Sequence, residues 1–277
     1  MIDHRQFNLL YPDWQGYASH QEVYHGAQLF CKHVELRTDY EVPVSLEEEL
    51  TTEDGIIGKS SILKMLSDAS FRLNAEDPAS IFMVGGTCGC ELAPISFLNE
   101  RYDNNLAIFW FDAHGDLNTP ESSPSQRFHG MPLRTLLGDG DRKIIANLSR
   151  IVQPSQVALV GTRDLDKEES RFIEEQKIPI FRPINGSHVH ELVDFAKTKG
   201  LTKAYIHFDL DVLDPIEFPH VLVAVDAGIK IKHAIKAMKM IREELTLVGS
   251  SVVEFCSRGQ GAADVYRLVS EGMGIRF

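Results

Sequence analysis

The sequence is short of several things, and each shortage excludes something. Cysteine appears four times in 277 residues, as Cys31, Cys88, Cys90 and Cys256. That is too sparse for a disulfide-built fold, so a reducing, cytoplasmic setting is the expectation. No run of about 18 apolar residues occurs, so no membrane span is expected. Asp3, His4 and Arg5 interrupt any apolar stretch at the start, which argues against a secretory leader. Positive charge is scarce: 28 Lys and Arg stand against 40 Asp and Glu, for a net charge of −12. That balance is a poor match for nucleic acid. No internal repeat, low-complexity tract or long linker divides the chain, so residues 1–277 are read as one domain.

What is present alternates. Ile81 to Val84 reads as a strand ending at Gly85-Gly86, followed by a helix from Cys90 to about Glu100. Leu106 to Phe111 and Val157 to Val160 are apolar runs of strand length. A polar helix is expected from Asp166 to about Gln176, and a short strand from Ile178 to Phe181. Ala204 to Phe208 reads as a strand, Ile229 to Leu245 as a helix, and Leu247 to Val253 as a strand ending at Glu254. A last helix covers about Ala262 to Met273. Strands alternating with helices predict a three-layer α/β/α fold around a mainly parallel sheet.

Two of these apolar runs end in ionisable residues. Leu106 to Phe111 leads into Asp112-Ala-His114-Gly-Asp116. In extended backbone, residues two apart leave the same face, so the three groups are expected to converge at one strand end. Charges at the end of a buried strand are costly unless something pairs with them. Phe208 leads into Asp209-Leu-Asp211-Val-Leu-Asp214-Pro215, and the proline ends the strand. In parallel α/β sheets, sites form outside the carboxyl ends of the strands, where the two clusters can meet. Four carboxylates and one imidazole suit Mn²⁺, Mg²⁺ or Fe²⁺. Two ions sharing carboxylates, about 3.5–4 Å apart, would use them well.

Taken in order, these motifs resemble the ureohydrolases, the arginase and agmatinase family. Asp112-Ala-His114-Gly-Asp116-Leu-Asn118-Thr-Pro120 is similar to the family's first metal motif, and Phe208-Asp209-Leu-Asp211-Val-Leu-Asp214-Pro215 to its second. The distance from Asp112 to His129-Gly130 also matches. The resemblance implies an arginase-like fold holding two Mn²⁺ ions. Asp112 and Asp209 would bridge them, Asp116 would serve one, and His114 and Asp211 the other. It implies hydrolysis of a guanidino substrate to urea and an amine, through attack by a metal-bridging hydroxide. His129 matches the family's proton-transfer histidine, and Glu254 the carboxylate that pairs with the guanidinium. Asp116 is counted with them as catalytic. Asn118, Ser125 and Arg127 resemble positions that hold the substrate's α-carboxylate, and Asp166 and Glu169 positions near its α-amino group. A small-molecule substrate and a homo-oligomer are the implied partners.

The sequence departs from the family at Gly85-Gly86-Thr87-Cys88. Thr87 stands where the family has aspartate, and Cys88 where it has a metal-binding histidine. Thiolate is softer than imidazole and suits Mn²⁺ less well. Three roles stand open for Cys88: thiolate ligand, bystander beside a weakened site, or small buried residue. The ion served by Asp116 is therefore expected to be weakly held. The resemblance extends to a branch with cysteine here, the Nω-hydroxyarginine amidinohydrolases, so hydroxyarginine joins arginine as an expected substrate class. Agmatinase-type or formimidoylglutamase-type hydrolysis, or a metal-poor binding protein, are the other readings. His207 shares the strand of Asp209 and is read as a core histidine or one that supports a ligand. Cys90 is read as core.

Overall fold

The computed structural model describes residues 6–182, 189–256 and 262–276, so Asp3, His4 and Arg5 lie outside the described residues. In chain order the strands are β1 (Gln6–Tyr11), β2 (Tyr40–Glu41), β3 (Thr52–Glu53), β4 (Ile56–Ile57), β5 (Ser80–Gly85), β6 (Leu106–Phe111), β7 (Val157–Val160), β8 (Ile180–Phe181), β9 (Lys203–Phe208) and β10 (Thr246–Val252). The helices are α1 (Glu22–His33), α2 (Lys59–Glu76), α3 (Leu92–Arg101), α4 (Pro132–Leu136), α5 (Arg142–Ile145), α6 (Lys167–Gln176), α7 (Val189–Thr198), α8 (Ile231–Glu244) and α9 (Ala262–Arg267). A π-helical turn, Leu268–Met273, continues α9.

Eight strands form one sheet in the order β2-β1-β5-β10-β9-β6-β7-β8, while β3 and β4 make a small antiparallel ribbon. Every pairing in the large sheet is parallel. Both faces are covered, which is why the central strands read as unbroken apolar runs. β6 shows the division. Ala107, Phe109 and Phe111 join the core beneath α1, α7, α8 and α9. Leu106, Ile108 and Trp110 join the core beneath α2, α3, α4 and α6. Among the described residues no helix is long and apolar enough to cross a membrane.

The sequence-derived elements hold with local shifts. Cys88–Glu91 is a 3₁₀ turn, not the start of a helix. Thr87 caps it, its Oγ1 accepting from the Gly89 N–H at 3.2 Å, so α3 begins at Leu92. The expected strand at 178–181 shortens to β8, because the chain leaves α6 through Lys177 in the left-handed conformation. Asp209 and Asp211 do not lie on an extended strand. Leu210–Val212 is a 3₁₀ turn, and the Asp209 carboxylate accepts from the Asp211 N–H at 2.7 Å.

Candidate metal centre

Four neighbouring strands deliver the site. β5, β10, β9 and β6 are consecutive in the sheet and parallel, so their carboxyl ends lie side by side. β5 runs into Thr87 and Cys88, β10 into Glu254, β9 into Asp209 and Asp211, and β6 into Asp112. The position is where ligands bind in open parallel sheets.

The triplet at the end of β6 converges differently from the expected alternation. β6 stops at Phe111, and the Asp112 carboxylate accepts from the His114 N–H at 2.7 Å, which turns the chain. Asp116 then takes a left-handed backbone, φ +53°. The three side chains therefore part company. Ligand atoms of Asp112, His114 and Asp211 lie within 4.8 Å of one another, and so do those of Cys88, Asp112, Asp116 and His207. Asp112 belongs to both groups. Asp209 groups instead with Cys88 and Glu254. The Cys88 thiol donates to Asp209 Oδ2 at 3.1 Å. Of the three roles open to Cys88, this places its sulfur inside the acidic cluster.

Electrostatics point the same way. Burial, and then the charge of Asp112, push Asp116 well above the usual carboxylate range. Burial also pushes Asp209 and Glu254 well above it, helped in both by Asp211, and it raises Asp211 as well. Burial acts the same way on Asp112, but His114 and His207 outweigh it and hold that carboxyl well below the range. Burial would lower His114, yet hydrogen bonding to Asp112 and Asp211 raises it strongly. The His114 Nδ1 lies 2.8 Å from Asp211 Oδ2. Burial and the surrounding carboxylates push the Cys88 thiol well above its ordinary value. Acids crowded in a buried site without matching positive charge call for a cation. The donor set fits one. Asp116 Oδ2, His207 Nε2 and Glu254 Oε2 are buried without a hydrogen-bond partner. Native proteins rarely leave such atoms unpaired.

Glu254, itself in the cluster, and His129 are the other residues expected to be catalytic. Glu254 follows β10 in a left-handed backbone, φ +66°. Its N–H donates to the Gly86 carbonyl at 3.0 Å, and its Oε1 accepts from the Cys88 N–H at 3.3 Å. A Cβ on Gly86 would meet the Asp13 carbonyl at 1.8 Å, so the close approach here requires glycine. His129 stacks on Tyr17, ring centroids 4.1 Å apart. Burial, then the positive charges of His114 and Arg127, push His129 down to about 3, so its neutral form dominates near neutral pH.

The expected substrate-binding residues divide. Asn118 Nδ2 donates to Asp166 Oδ2 at 2.8 Å, joining the two loops. Glu169 is buried and makes a capping box with Asp166 at the start of α6. Its Oε1 accepts from the Leu117 N–H at 2.9 Å and its Oε2 from the Asp166 N–H at 2.8 Å. Glu169 thus fixes the backbone just beyond Asp116. Ser125 is exposed and accepts from the Arg127 N–H at 3.3 Å. Arg127 Nη2 donates to Ser19 Oγ at 3.3 Å, leaving most of its guanidinium uncommitted.

Several contributors escaped sequence reasoning. Asp13 accepts from the Thr87 N–H at 2.9 Å and from its hydroxyl at 2.7 Å. A carboxylate is thus restored beside the position where the family's aspartate is missing, and burial raises it to about 6. Glu91 is buried beside His207 Nδ1 at 2.8 Å. Arg163 donates to the carbonyls of Gly161, Asp211, Val212, Val225 and Asp226, tying down the segment that carries Asp211. Only Glu91 carried a sequence signal: a histidine within an apolar strand needs a buried partner.

Comparison with known proteins bears on this arrangement. A family model described as the Arginase family matches residues 16–258. An arginase of Staphylococcus aureus (strain MRSA252) is 31% identical over 223 residues, 76% of this chain and 72% of that protein. An arginase of Bacillus caldovelox is 30% identical over 243 residues, 80% of this chain and 78% of that one. Among solved structures, an Entamoeba histolytica arginase in complex with L-ornithine superposes with a TM-score of 0.86 at 21% identity, covering 98% of this chain and 100% of that one. A putative agmatinase from Clostridium difficile shares the fold at a TM-score of 0.72 and 19% identity, covering 97% and 96%. With a family match over most of its length and relatives at 30% identity and above, the chain belongs to the arginase family of hydrolases.

Proposed function

We propose that this protein cleaves a guanidino amino acid, of the arginine or Nω-hydroxyarginine type, to urea or hydroxyurea and an amine, using two Mn²⁺ ions. One observation carries the reading. Three buried polar atoms without partners face one acidic cluster at the ends of four adjacent strands. Asp112 would bridge the ions with Asp209. His114 and Asp211 would hold one of them, and Asp116 and Cys88 the other. Bound there, such ions supply Lewis acidity that makes hydroxide available near neutral pH.

The chain's own groups supply the rest. Glu254 Oε2 is free to accept from a guanidinium N–H, and a planar guanidinium matches a carboxylate at two points. Asp116 Oδ2 is free to orient the attacking oxygen. His129, stacked on Tyr17, would relay to the leaving amine the proton given up by the attacking water; burial disfavours its charged form, so it would hold that proton only in passing. Arg127 offers positive charge to a substrate carboxylate, which agmatine lacks. Asn118, Ser125, Asp166 and Glu169 shape the loops that would receive the amino acid end.

The test is urea or hydroxyurea release from arginine, Nω-hydroxyarginine and agmatine with added Mn²⁺. Turnover of the amino acids is expected. Turnover of agmatine alone would overturn the substrate class, and none at all with metal bound would overturn the hydrolysis. His129→Asn should lower kcat by about 10²–10⁴-fold with metal content unchanged.

A further inference from the structure

His207 is the buried group that this mechanism leaves unused. It sits on β9 and is fully buried, on the sheet face it shares with Trp110. The two rings stack at 3.7 Å. Its Nδ1 lies 2.8 Å from Glu91 Oε1. Glu91, also fully buried, accepts in addition from the Tyr205 hydroxyl at 2.6 Å and from the Ser251 hydroxyl. A carboxylate already receiving these bonds draws the imidazole proton to Nδ1. In the neutral imidazole the lone pair is then left on Nε2, which has no hydrogen-bond partner. The nearest acid to Nε2 is Asp112 Oδ2 at 3.7 Å, too far for a hydrogen bond and suited to an atom between them. A ring nitrogen of His207 also lies within 4.8 Å of ligand atoms of Cys88, Asp112 and Asp116.

We propose that His207 is a metal ligand, binding through Nε2 the ion that Cys88, Asp112 and Asp116 hold, with Glu91 as its positioning residue. This deepens the functional reading above and rests on it. The imidazole absent from position 88 is thus supplied from β9, two strands along the sheet from β5. Glu91, His207 and the ion form a carboxylate–histidine–metal relay, the arrangement that fixes the tautomer and ring orientation of metal-binding histidines. Trp110 packs flat on the ring and prevents its rotation. On this assignment the ion would have one imidazole, one sulfur and two carboxylates within reach, where the sequence led to an expectation of weak holding.

The assignment separates from its competitor by metal content. If His207 were only a cation pairing Glu91 with Asp112, its removal would not lower metal uptake. Wild-type protein, His207→Ala and Glu91→Gln are loaded with Mn²⁺, dialysed, and their bound metal and affinity measured. Two ions are expected in the wild type and one tightly bound ion in His207→Ala. In Glu91→Gln the affinity of the second ion should fall about 10–100-fold. Should His207→Ala fail to fold, the wild type loaded with Co²⁺ answers alone. Its proton NMR spectrum should show two imidazole N–H signals shifted by the paramagnetic ion, one from His114 and one from His207. The latter, sealed by Glu91, should persist in D₂O. Two ions in the wild type with both retained in His207→Ala, or a single shifted N–H signal, would overturn this assignment alone. A wild type that takes up no divalent ion would overturn both it and the functional reading.

Discussion

Asp116 and Glu254 share an unusual property: both are non-glycine residues with positive φ. A glutamate held at φ +66° carries a backbone cost on the order of 1–3 kcal/mol, tolerated where geometry at a site demands it. Glu254→Gly removes that cost together with a buried carboxylate. The metal-free protein should gain about 1 kcal/mol of stability in denaturant melts, less than the strain because glycine loses more freedom on folding. Turnover in the same variant should vanish. A less stable variant would overturn the argument from strain, and an active one the role of the carboxylate.

At this scale the sequence was legible where a charge broke an apolar run. Asp112 and Asp209 announced themselves because burying them without a partner is costly. His207 and Glu91 were not legible as a pair. They stand 116 residues apart and meet only once β9 and the turn after β5 are placed in one fold. Thr87 and Cys88 read as losses, whereas Asp13 now stands hydrogen-bonded to Thr87, a relation no spacing rule contains.

At the scale of elements, the site depends on turns that strands alone do not specify. Arg163 illustrates this. Its guanidinium reaches five backbone carbonyls on three stretches of chain, a fork that a lysine ammonium cannot reproduce. Arg163→Lys should cost about 2 kcal/mol, from several partly buried carbonyls left unpaired. It should also weaken the ion beside His114 and Asp211 more than the ion beside Cys88. Equal effects on both ions would place Arg163 outside the support of Asp211. The strand ends followed from apolar runs, and α6 from a polar helical stretch beginning near Asp166. The 3₁₀ turns at Cys88–Glu91 and Leu210–Val212 did not, because side-chain hydrogen bonds from Thr87 and Asp209 set them.

For the molecule as a whole, the parallel sheet gathers a set of buried carboxylates at the carboxyl ends of its strands. Asp13, Asp116, Asp209, Asp211 and Glu254 all have pKa values raised by burial in the metal-free fold. A raised pKa favours folding below the unfolded value, about 4, and that contribution is lost as pH rises through the folded value. For Asp13 the loss is complete a little above pH 6, and for the more strongly raised groups it continues upward. Asp112, held low, opposes this only in acid. Protein in EDTA should therefore lose stability between pH 5 and pH 8. The rise in Tm on adding Mn²⁺ should be larger at pH 8 than at pH 6, since cations bind deprotonated ligands. A metal-induced shift that shrinks with rising pH would contradict this assignment of charge.

The stacking of Trp110 on His207 has a consequence for observing the protein. The chain contains two tryptophans, Trp14 and Trp110. The Trp110 indole lies flat against an imidazole, and its Nε1 donates to Asp112 Oδ2 at 3.2 Å. Its excited state is therefore in direct contact with two groups proposed to hold the ion when the centre fills. The native chain carries its own optical indicator of occupancy. Its ultraviolet emission should follow ion uptake in real time without a label, and Trp110→Phe should leave a signal, from Trp14, with that response reduced.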